Sequence, residues 1–458
     1  MRNSQRFTVS YVSGAWLVVL SLGTAFAAQA QISSNQTELT NPRTAGPPLV
    51  LTLRDAIARA RKVNPQFRTA LTDLALAKED RVQSRANLLP SVNYQAAFLY
   101  TEGNGTPASR FVANNGVHEY VSQGDVHQSL ALAEIADYRR TQAGEAVARA
   151  RSEIAARGLV VTVVQAYYGM VVAQRKYATA QRAGDEAQHF LDISQKLERG
   201  GEVAHADVIK AQIQFQQKQR DLQEAQLVME RKQMDLAVLV FSDFNQDFSV
   251  VDDLEPPEPL PGFADVQTAA AKNNPELRAA LAALREASQD VAVAWNGFLP
   301  SLGFDYFYGI DANRFAANGF DPITGRNIRN LGYSATATLQ LPVWNWGSSR
   351  SRVKQADLKR ELARVELSST QRQLLANLRN FYNEAQTARL ELESLDQSAQ
   401  LAAESLRLTD LQYTAGEATA LEVVDTQNTL TQARNAFDDG QQRYRMGLAN
   451  LQTLTGTF

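Results

Sequence analysis

Residues 299–310 read LPSLGFDYFYGI, and the hydrophobic period changes within this stretch. Pro300 ends a helical pattern, because proline has no backbone N–H with which to continue a helix. Beyond it every second residue is apolar or aromatic, while Gly303, Asp305 and Gly309 occupy the other face. A period of two with one aromatic-rich face predicts a β-strand that follows directly on a helix.

The same pattern occurs 210 residues earlier in the chain. Asn64-Pro65 is followed by Leu89-Pro90-Ser91 after 25 residues. Asn274-Pro275 is followed by Leu299-Pro300-Ser301 at the same spacing. An internal repeat of this length predicts two similar structural units rather than a solenoid of short ones. We expect a helix, two strands and a long helical hairpin in each unit, in that order.

The other predicted strands also have one apolar face. Apolar residues alternate along residues 92–100, and along residues 333–341 they alternate with hydroxyl and amide side chains. Polar loops are predicted at 101–116 and 311–331, between the strands of each pair. Such strands suit a barrel with lipid outside and water inside, although an antiparallel sheet over a soluble core explains the alternation equally well. We favour the barrel, because no other part of the chain offers such a core.

Two long stretches without proline, about 137–199 and about 348–413, predict unusually long helices. A helix of about 63 residues reaches on the order of 95 Å, which is far beyond a compact domain. The helices that follow them keep apolar steps of 3 and 4 residues from Val208 and again from Val423, at an offset of 215. These seams predict antiparallel coiled coils that turn at the glycines near 200 and 416. A filament-like coiled coil is the alternative, but it leaves the strands without a role.

Composition excludes several classes of function. The chain has 458 residues, 46 Lys and Arg against 49 Asp and Glu, four His and no Cys. Nucleic acid is excluded as a partner, because there is no basic surplus to neutralise phosphates. Without Cys there are no disulfides or thiolate sites, and no two His share a helical face as zinc ligands. We find no catalytic constellation or phosphate loop, and therefore expect no enzyme activity and no cofactor.

The first residues predict export. Arg2 and Arg6 precede an apolar core at 15–26, and Ala28-Gln29-Ala30 has the small-x-small pattern of a cleavage site. We expect cleavage after Ala30 and no lipid anchor, because no Cys follows. Residues 158–174 are uncharged but short and partly polar, and we interpret them as a bundle helix rather than a membrane span. An exported chain of this kind is either soluble or enters an outer membrane as strands.

These patterns divide the chain into five parts. They are a signal peptide at 1–30, a flexible segment at 31–50, a first repeat at 51–249 with a strand pair at 91–133, a Pro-rich linker at 250–263, and a second repeat at 264–458 with a strand pair at 301–343. Four strands are too few to close a barrel, and an open strand edge is not tolerated in lipid. The chain is therefore expected to oligomerise. Two copies supply eight strands, and three supply twelve and leave room for a pore.

Taken together, the residues resemble the TolC-like outer-membrane efflux proteins over about residues 51–458. The resemblance rests on the paired Asn-Pro and Leu-Pro-Ser motifs, on Leu341-Pro342-Val343-Trp344 with Gly347, and on the string Tyr413-Thr414-Ala415-Gly416-Glu417. One departure is the exit from the second strand through residues 131–134, which lack the Pro and Gly of the second repeat. We expect a softer strand-to-helix junction there.

The resemblance implies a mainly α fold with a small β part. Long antiparallel coiled-coil helices would form a periplasmic α-barrel, and four strands per chain would contribute to a trimeric, twelve-stranded β-barrel in the outer membrane of a Gram-negative bacterium. The implied partners are the homotrimer, outer-membrane lipid, a periplasmic adaptor (membrane fusion) protein and an inner-membrane pump of the RND, ABC or MFS type. Transport through the chain would be passive.

The resemblance also assigns roles to residues at the helical turns. Adaptors would bind the hairpin tips, which are Gly200, Gly201, Glu202, Gly416 and Glu417. Glu422 and Asp425 match acidic residues that line the closed constriction, and Asp207 and Tyr413 match positions that hold the closed tip together. Ala206 and Ala418 replace the polar and basic partners expected there. The alternative interpretation is that the glycines only turn the chain and that the acids and Tyr413 lie on a solvated coiled-coil face.

Three functions follow from these patterns. The first is an efflux duct for small molecules, and the second is the same duct in a type I protein secretion system. The third is a soluble periplasmic coiled-coil scaffold. The transported substrate is selected mainly by the pump, so the sequence leaves the first two open.

Overall fold

The structure is a computed structural model that describes residues 49–100, 118–243, 247–254, 259–321 and 325–456. The predicted signal peptide, nearly all of the predicted flexible segment, the loop at 101–116 and part of the Pro-rich linker lie outside these residues.

Both halves of the chain share the order of two helices, two sheet strands, a long helix and a shorter helix, and the first half adds β1 and β4 while the second adds β6 and β7. The first half contains β1 (Leu49–Leu51), α1 (Leu53–Val63), α2 (Pro65–Ala86), β2 (Ser91–Tyr100), β3 (His118–Leu130), α3 (Leu132–Gly200), α4 (His205–Val240) and β4 (Phe248–Val250). The second half contains α5 (Phe263–Asn273), α6 (Pro275–Asn296), β5 (Ser301–Ala312), β6 (Asn318–Asp321), β7 (Arg326–Arg329), β8 (Leu331–Gln340), α7 (Ser348–Thr414) and α8 (Ala420–Thr455).

Each repeat begins with two helices, so the prediction of one initial helix was wrong. Asn64 ends α1 with an extended backbone (ψ 121°), and its Oδ1 accepts a hydrogen bond from Phe67 N at 2.8 Å to cap α2. Asn274 caps α6 in the same way, with Leu277 N at 2.9 Å. The proline after each Asn occupies the first helical position and disfavours helical backbone at the Asn. The Asn-Pro motif is therefore a helix break.

Four strands form one antiparallel sheet in the order β2-β3-β5-β8. The register places Tyr94 opposite Gly124, Gly124 opposite Tyr308 and Tyr308 opposite Tyr333. On the face that carries Tyr94, Tyr308 and Tyr333, the residues of β2, β5 and β8 are mostly apolar or aromatic, whereas β3 places Ser122 and Gln128 there. The opposite face carries Asp125, His127 and Asp305, together with Val121 and Phe307. The alternation predicted from the sequence is confirmed for β2, β5 and β8, and β3 is mixed. The predicted loop at 311–331 additionally contains a short antiparallel hairpin, β6–β7.

The two repeats pass from sheet to helix differently. The first repeat has only Ala131 between β3 and α3, so the helix starts at Leu132 instead of near 137. The second repeat inserts residues 341–347 between β8 and α7, and Trp346 and Gly347 there have positive φ angles of 54° and 83°. A softer junction was expected in the first repeat, but the structure shows that β3 continues into α3 after a single residue.

The long helices α3 and α7 run through both halves of the molecule, and their neighbours differ between the two halves. In the half nearer the sheet α3 packs against α2 and α6, and α6 packs against α7. In the half nearer the turns α3 packs against α4 and α8, and α8 packs against α7. The order is therefore α2-α3-α6-α7 near the sheet and α4-α3-α8-α7 near the turns. Val160, Val163 and Tyr167 of the uncharged stretch are buried in the main core, which fits a packed helix rather than a membrane span.

Gly309 of β5 lies directly against the backbone of β3. A Cβ atom there would overlap the carbonyl oxygen of Ser122 and the backbone of Gln123, whereas at Gly303 on the same strand the nearest atom, Thr338 O, would lie 3.9 Å away. We expect Gly309→Ala to destabilise the sheet by about 1–3 kcal/mol, as overpacking does. Thermal unfolding of the purified protein measures this effect. Gly303→Ala is the matched control, and equal losses in both variants would contradict the close approach.

Candidate functional site

The two helical hairpins turn through the same backbone motif. At the first turn Gly201 has φ 76°, Glu202 N donates to Leu197 O at 2.9 Å, and Gly201 N donates to Glu198 O at 2.9 Å. This is a Schellman motif, in which a left-handed residue ends the helix and satisfies its last carbonyls. Gly200 is the last residue of α3. The predicted turn at these glycines is confirmed.

The second turn repeats this geometry 215 residues later. Gly416 has φ 79°, Glu417 N donates to Gln412 O at 2.8 Å, and Gly416 N donates to Tyr413 O at 3.1 Å. Both turns need glycine, because other residues rarely adopt a left-handed backbone without strain. Glu202 and Glu417 follow these glycines, and both are exposed at the ends of the hairpins. The two tips therefore present a carboxylate at equivalent positions.

The residues after the two turns differ. Thr419 and Glu422 form a capping box at the start of α8, in which Thr419 N donates to Glu422 Oε2 at 2.6 Å and Glu422 N donates to Thr419 Oγ1 at 3.4 Å. The start of α4 has Ala204 at the capping position, which has no side chain to accept such a bond. There the His205 Nδ1 atom lies 2.6 Å from Glu198 Oε1 and links α4 back to α3. The sequence pattern Thr-x-x-Glu is typical of such a capping box and could have predicted it.

Glu422 and Asp425 lie one turn apart on α8, and both are exposed. One oxygen of Glu422 is held by the cap. Asp425 is the next acidic residue along the helix, and Thr429 Oγ1 donates to its backbone carbonyl oxygen at 2.8 Å. The structure therefore brings these two predicted constriction acids together on an accessible surface. Glu422 has a structural role at the helix start as well.

Tyr413 and Asp207 are placed differently from each other. The side chain of Tyr413 is 3% exposed, so the solvated-face alternative is wrong for this residue. Its hydroxyl lies 3.0 Å from Ser194 Oγ on α3, and burial raises the pKa of this phenol. Asp207 instead pairs with Lys210 of its own helix at 3.1 Å. The bond between hairpins at the tip is thus made by Tyr413 and Ser194.

A small apolar core surrounds this hydrogen bond. The Tyr413 ring packs edge-on against Phe190, with 5.1 Å between ring centroids. Val208 of α4 and Val423 of α8 are buried in the same cluster. Ala206 is exposed and Ala418 is half-buried. Side chains from all four hairpin helices therefore meet near the turns. The sequence pattern did not identify Ser194 or Phe190, because their role depends on contacts between distant segments.

Further from the turns, polar contacts join the two hairpins. Gln214 Nε2 donates to Asn428 Oδ1 at 3.2 Å, and Lys176 Nζ lies 2.7 Å from Asp439. Arg175 Nη1 lies 3.2 Å from Asp438, whose pKa is raised because burial outweighs the nearby cation. Lys218 occupies a seam position of α4 and is nearly fully buried. These contacts tie α3 and α4 to α8, and α8 in turn packs against α7.

A catalytic or metal site is not supported in the part of the chain that the structure describes. Among these residues no three His, Asp or Glu side chains lie close enough together to hold a metal ion. On the polar face of the sheet His127 Nδ1 lies 2.6 Å from Asp305 Oδ1, across β3 and β5. The described polar residues are therefore arranged as a surface rather than as a catalytic or metal-binding cluster.

The bond between Tyr413 and Ser194 can be tested by removing one hydroxyl. Tyr413→Phe keeps the ring contact, and Ser194 Oγ keeps its bond to Phe190 O at 2.9 Å. We expect a loss of about 1 kcal/mol, which corresponds to about fivefold faster amide exchange near both turns. Hydrogen exchange with mass spectrometry measures this change. Tyr177→Phe is the control, because the Tyr177 hydroxyl accepts a hydrogen bond from Gln181 of its own helix and lies further from the turns. Unchanged exchange in Tyr413→Phe would show that the bond does not hold the tips.

Comparison with known proteins identifies the family. The family described as "Outer membrane efflux protein" has a sequence model that matches residues 56–240 and 267–457, most of the chain and both repeats. Outer membrane protein TolC of Escherichia coli (strain K12) is 22% identical over 423 residues, covering 89% of this chain and 82% of TolC. Alkaline protease secretion protein AprF of Pseudomonas aeruginosa is 22% identical over 427 residues, covering 89% of this chain and 85% of AprF.

The solved structures agree on the fold. The Campylobacter jejuni CmeC outer membrane channel superposes with a TM-score of 0.75 at 19% identity, covering 88% of this chain and 85% of CmeC. Long paired helices and a small sheet are thus common to both proteins. The family consists of channel proteins, which agrees with the absence of an enzyme site expected from the sequence. The chain belongs to the outer membrane efflux protein family, as a TolC-like channel of the Gram-negative outer membrane with its helical part in the periplasm.

Proposed function

We propose that three copies of this chain form a continuous duct from the periplasm to the exterior. An inner-membrane pump and a periplasmic adaptor deliver small molecules to it. The observation that carries the proposal is that each side of the chain has an open strand edge and an outer helix with an exposed apolar face. Among the described residues, no strand pairs with the outer edge of β2 or of β8.

The strand edges and the helix edges lie on matching sides. β2 follows α2 directly, and β8 leads into α7. The packing order ends in α2 and α4 on one side and in α7 on the other. One side of the chain therefore consists of β2, α2 and α4, and the other side consists of β8 and α7. A contact between unlike sides is heterologous and closes into a ring when the rotation fits.

The outer helices carry apolar stripes opposite their packed faces. The stripe on α4 contains exposed side chains that share one helix face: Ile209, Ile213, Leu227, Met234 and Val238. The stripe on α7 is formed in the same way: Leu358, Leu362, Val365, Leu390, Leu401 and Leu408. Apolar stripes of this length are unusual on a monomer and indicate protein contacts. Pairing one stripe with the other supports the same side-to-side assembly as the strand edges.

Three copies fit a duct better than two. Two copies would supply eight strands, whose interior is filled by side chains, whereas twelve strands leave room for a pore. The face with Asp125, His127 and Asp305 is the polar one and would line the water-filled interior. The apolar face would contact lipid. The paired helices would continue this passage into the periplasm.

Introduced cysteines test the assembly, since the chain has none of its own. Leu227 lies 26 residues after Gly201 and Leu390 lies 26 residues before Gly416, so the two side chains stand at the same height. We expect Leu227→Cys combined with Leu390→Cys to give covalent trimers on oxidation, as seen in denaturing gels. Leu227→Cys with Arg389→Cys is the control, because position 389 points about 100° away around α7. Dimers as the end product would refute the ring of three.

The acids near the turns fit the narrow end of this duct. Three copies would place six carboxylates from Glu422 and Asp425 around the axis, and such a ring favours cations. Asp207 and Tyr413 lie close to this level of the bundle, where Tyr413 and Ser194 join the hairpins. We propose that these residues form the gate region. The exposed tips with Gly200, Gly201, Glu202, Gly416 and Glu417 are the proposed adaptor surface.

Charge neutralisation tests the gate. Glu422→Gln retains a capping side chain, so it removes the charge without removing the helix start. Together with Asp425→Asn we expect the preference for K⁺ over Cl⁻ to fall by about twofold or more in planar bilayers. Glu393→Gln with Asp396→Asn is the control, because it has the same residue types at the same spacing on α7. Unchanged selectivity in the first variant would remove both acids from the conduction path.

Protein secretion is the second candidate function. AprF, whose name describes protease secretion, is as similar to this chain as TolC is, at 22% identity. A deletion strain separates the two functions: sensitivity to small toxic molecules supports efflux, and the loss of one secreted protein supports secretion. The soluble scaffold considered from the sequence is excluded by the family and its outer-membrane location.

A further inference from the structure

A cleft of about 520 Å³ lies between α2, α3 and α6, in the half of the molecule nearer the sheet. Six charged side chains line it, and its other lining residues are uncharged. The six are four arginines from three helices and two glutamates of α3: Arg81, Arg149, Arg278, Arg285, Glu145 and Glu153. We call this cavity the arginine cleft. Its lining carries a net charge of +2.

Two carboxylates orient three of the four guanidinium groups. Glu145 is 4% exposed. Its Oε1 accepts a hydrogen bond from Arg149 Nη2 at 2.9 Å, and its Oε2 lies 3.0 Å from Arg81 Nη1. Glu153 pairs with Arg278 of α6. Each guanidinium has five N–H donors, so most of these donors remain available to a ligand in the cleft.

The fourth guanidinium, that of Arg285, has no internal partner. In the part of the chain that the structure describes, it makes no hydrogen bond or ion pair, and its side chain is exposed. A cluster that served only to join helices would gain by matching each arginine with an acid. Here the acids are two short, and like charges that share one cavity repel each other. An anion bound in the cleft would supply the missing negative charge.

The surplus of positive charge is local. A second cleft, of about 410 Å³, meets the arginine cleft at Glu145 and spans residues 137–145 of α3, which lie nearer the sheet. Its charged lining residues are Glu145, Asp80, Asp137 and Glu286, with Arg140 as the only cation. An anion that approached from the sheet would have to pass these acids. The arginine cleft is therefore separated from the membrane side by negative charge.

Distance also argues against a lipid headgroup as the ligand. Glu145 and Glu153 lie about 20 and 30 Å along α3 from its start beside the sheet. A headgroup layer extends only about 5–8 Å beyond the hydrocarbon core. A membrane phosphate at the sheet would not reach the centre of the cleft. The ligand that fits is a soluble one.

We propose that the arginine cleft binds a soluble oxyanion of charge −2 from the periplasm, namely the phosphate group of a small molecule. The net charge of the lining matches such a group, and arginine binds phosphate oxygens through paired N–H donors. A cleft of about 520 Å³ also has room for the organic part of a phosphate ester. All lining residues belong to one chain, so only the side on which the cleft opens rests on the proposed duct.

The face of α3 that lines the cleft is the outer face of that duct. Val160 and Val164 lie 11 residues after Arg149 and Glu153, which is about three turns, and hence on the same face of α3. There the helix α1 packs against α3, with Ile57 next to the core that contains both valines. An added helix on the inner face would obstruct the passage. The arginine cleft therefore opens towards the periplasm.

Calorimetric titration of the purified protein in detergent tests the site. The probes are glycerol 2-phosphate and acetate, in a buffer of low ionic strength without phosphate at pH 7.5. We expect glycerol 2-phosphate to bind about tenfold more tightly than acetate, because it carries a second charge and a third oxygen for the arginines. Equal affinities for the two probes, or no binding of either, would overturn the proposal.

Matched variants locate the binding. Arg285→Gln removes no internal contact, so it is expected to fold normally and to weaken binding of glycerol 2-phosphate about fivefold. Together with Arg149→Gln we expect a loss of about tenfold or more. Arg389→Gln is the control, because Arg389 is an exposed arginine of α7 outside the cleft, and its affinity should stay within about twofold. Unchanged affinity in Arg285→Gln, or an equal loss in the control, would refute the cleft as the site.

The same titration separates a soluble phosphate from a lipid phosphate. Phosphatidylglycerol is added to the detergent micelles before glycerol 2-phosphate. We expect the affinity for glycerol 2-phosphate to stay the same, because a headgroup does not reach the cleft. Displacement of glycerol 2-phosphate by phosphatidylglycerol would identify a lipid site and overturn the soluble ligand.

A bulky label tests the side on which the cleft opens. Arg285→Cys provides a single thiol, since the chain has no cysteine, and it is modified with a polyethylene glycol maleimide. We expect the label to abolish binding of glycerol 2-phosphate and to leave ion conductance in planar bilayers unchanged. A conductance lowered by about half or more would place the cleft inside the duct and overturn the periplasmic opening. Unlabelled protein that binds the probe without conducting would overturn the duct but support the cleft.

Discussion

Backbone hydrogen bonding at the two edges of a four-stranded sheet is the constraint on which the rest of this structure depends. β2 and β8 each present a row of N–H and C=O groups on their outer side, and no described strand covers them. In hydrocarbon an unpaired backbone group costs several kcal/mol, so an open edge is not a stable state. Another copy of the chain offers the complementary edge. The helix stripes on the same two sides mean that one contact can satisfy both the sheet and the helices.

The duplication explains how one chain builds two matching hairpins, and the differences between the repeats show where they have separate tasks. Both turns use the same left-handed glycine geometry at Gly201 and Gly416. Of the two helices that follow these turns, α8 has a capping box and α4 has none, and the cap holds Glu422 at the proposed constriction. Only the second repeat inserts residues 341–347 with their exposed tryptophans. The differences between the repeats are therefore concentrated at the starts of the hairpin helices and at the junctions between sheet and helix.

The parts of the fold that depend on local period were predictable from the sequence. Alternation placed Phe304 and Tyr306 on the correct face, because a strand has a period of two. Glycine marked both hairpin turns for its backbone freedom. The Asn-Pro breaks at Asn64 and Asn274 were missed, although their capping chemistry was visible, because the apolar spacing alone continues across them.

The candidate site was only partly predictable, because burial depends on distant segments. Tyr413 was assigned to the tip, but its burial against Phe190 and its bond to Ser194 join residues about 220 positions apart. Lys218 lies on the apolar seam of α4 that starts at Val208, and its burial follows from the packing of α3, α4 and α8. Asp207 was expected to bridge helices, whereas the nearest cation is Lys210 on its own helix.

Amide hydrogen exchange of the membrane-embedded protein tests the central claim most directly. If sister subunits pair with both edges, the outward N–H groups of β2 and β8 exchange as slowly as those of the central strands β3 and β5. If the chain stands alone in the membrane, the outward amides of residues 91–100 and 331–340 exchange rapidly while β3 and β5 remain protected. That second result would contradict the account.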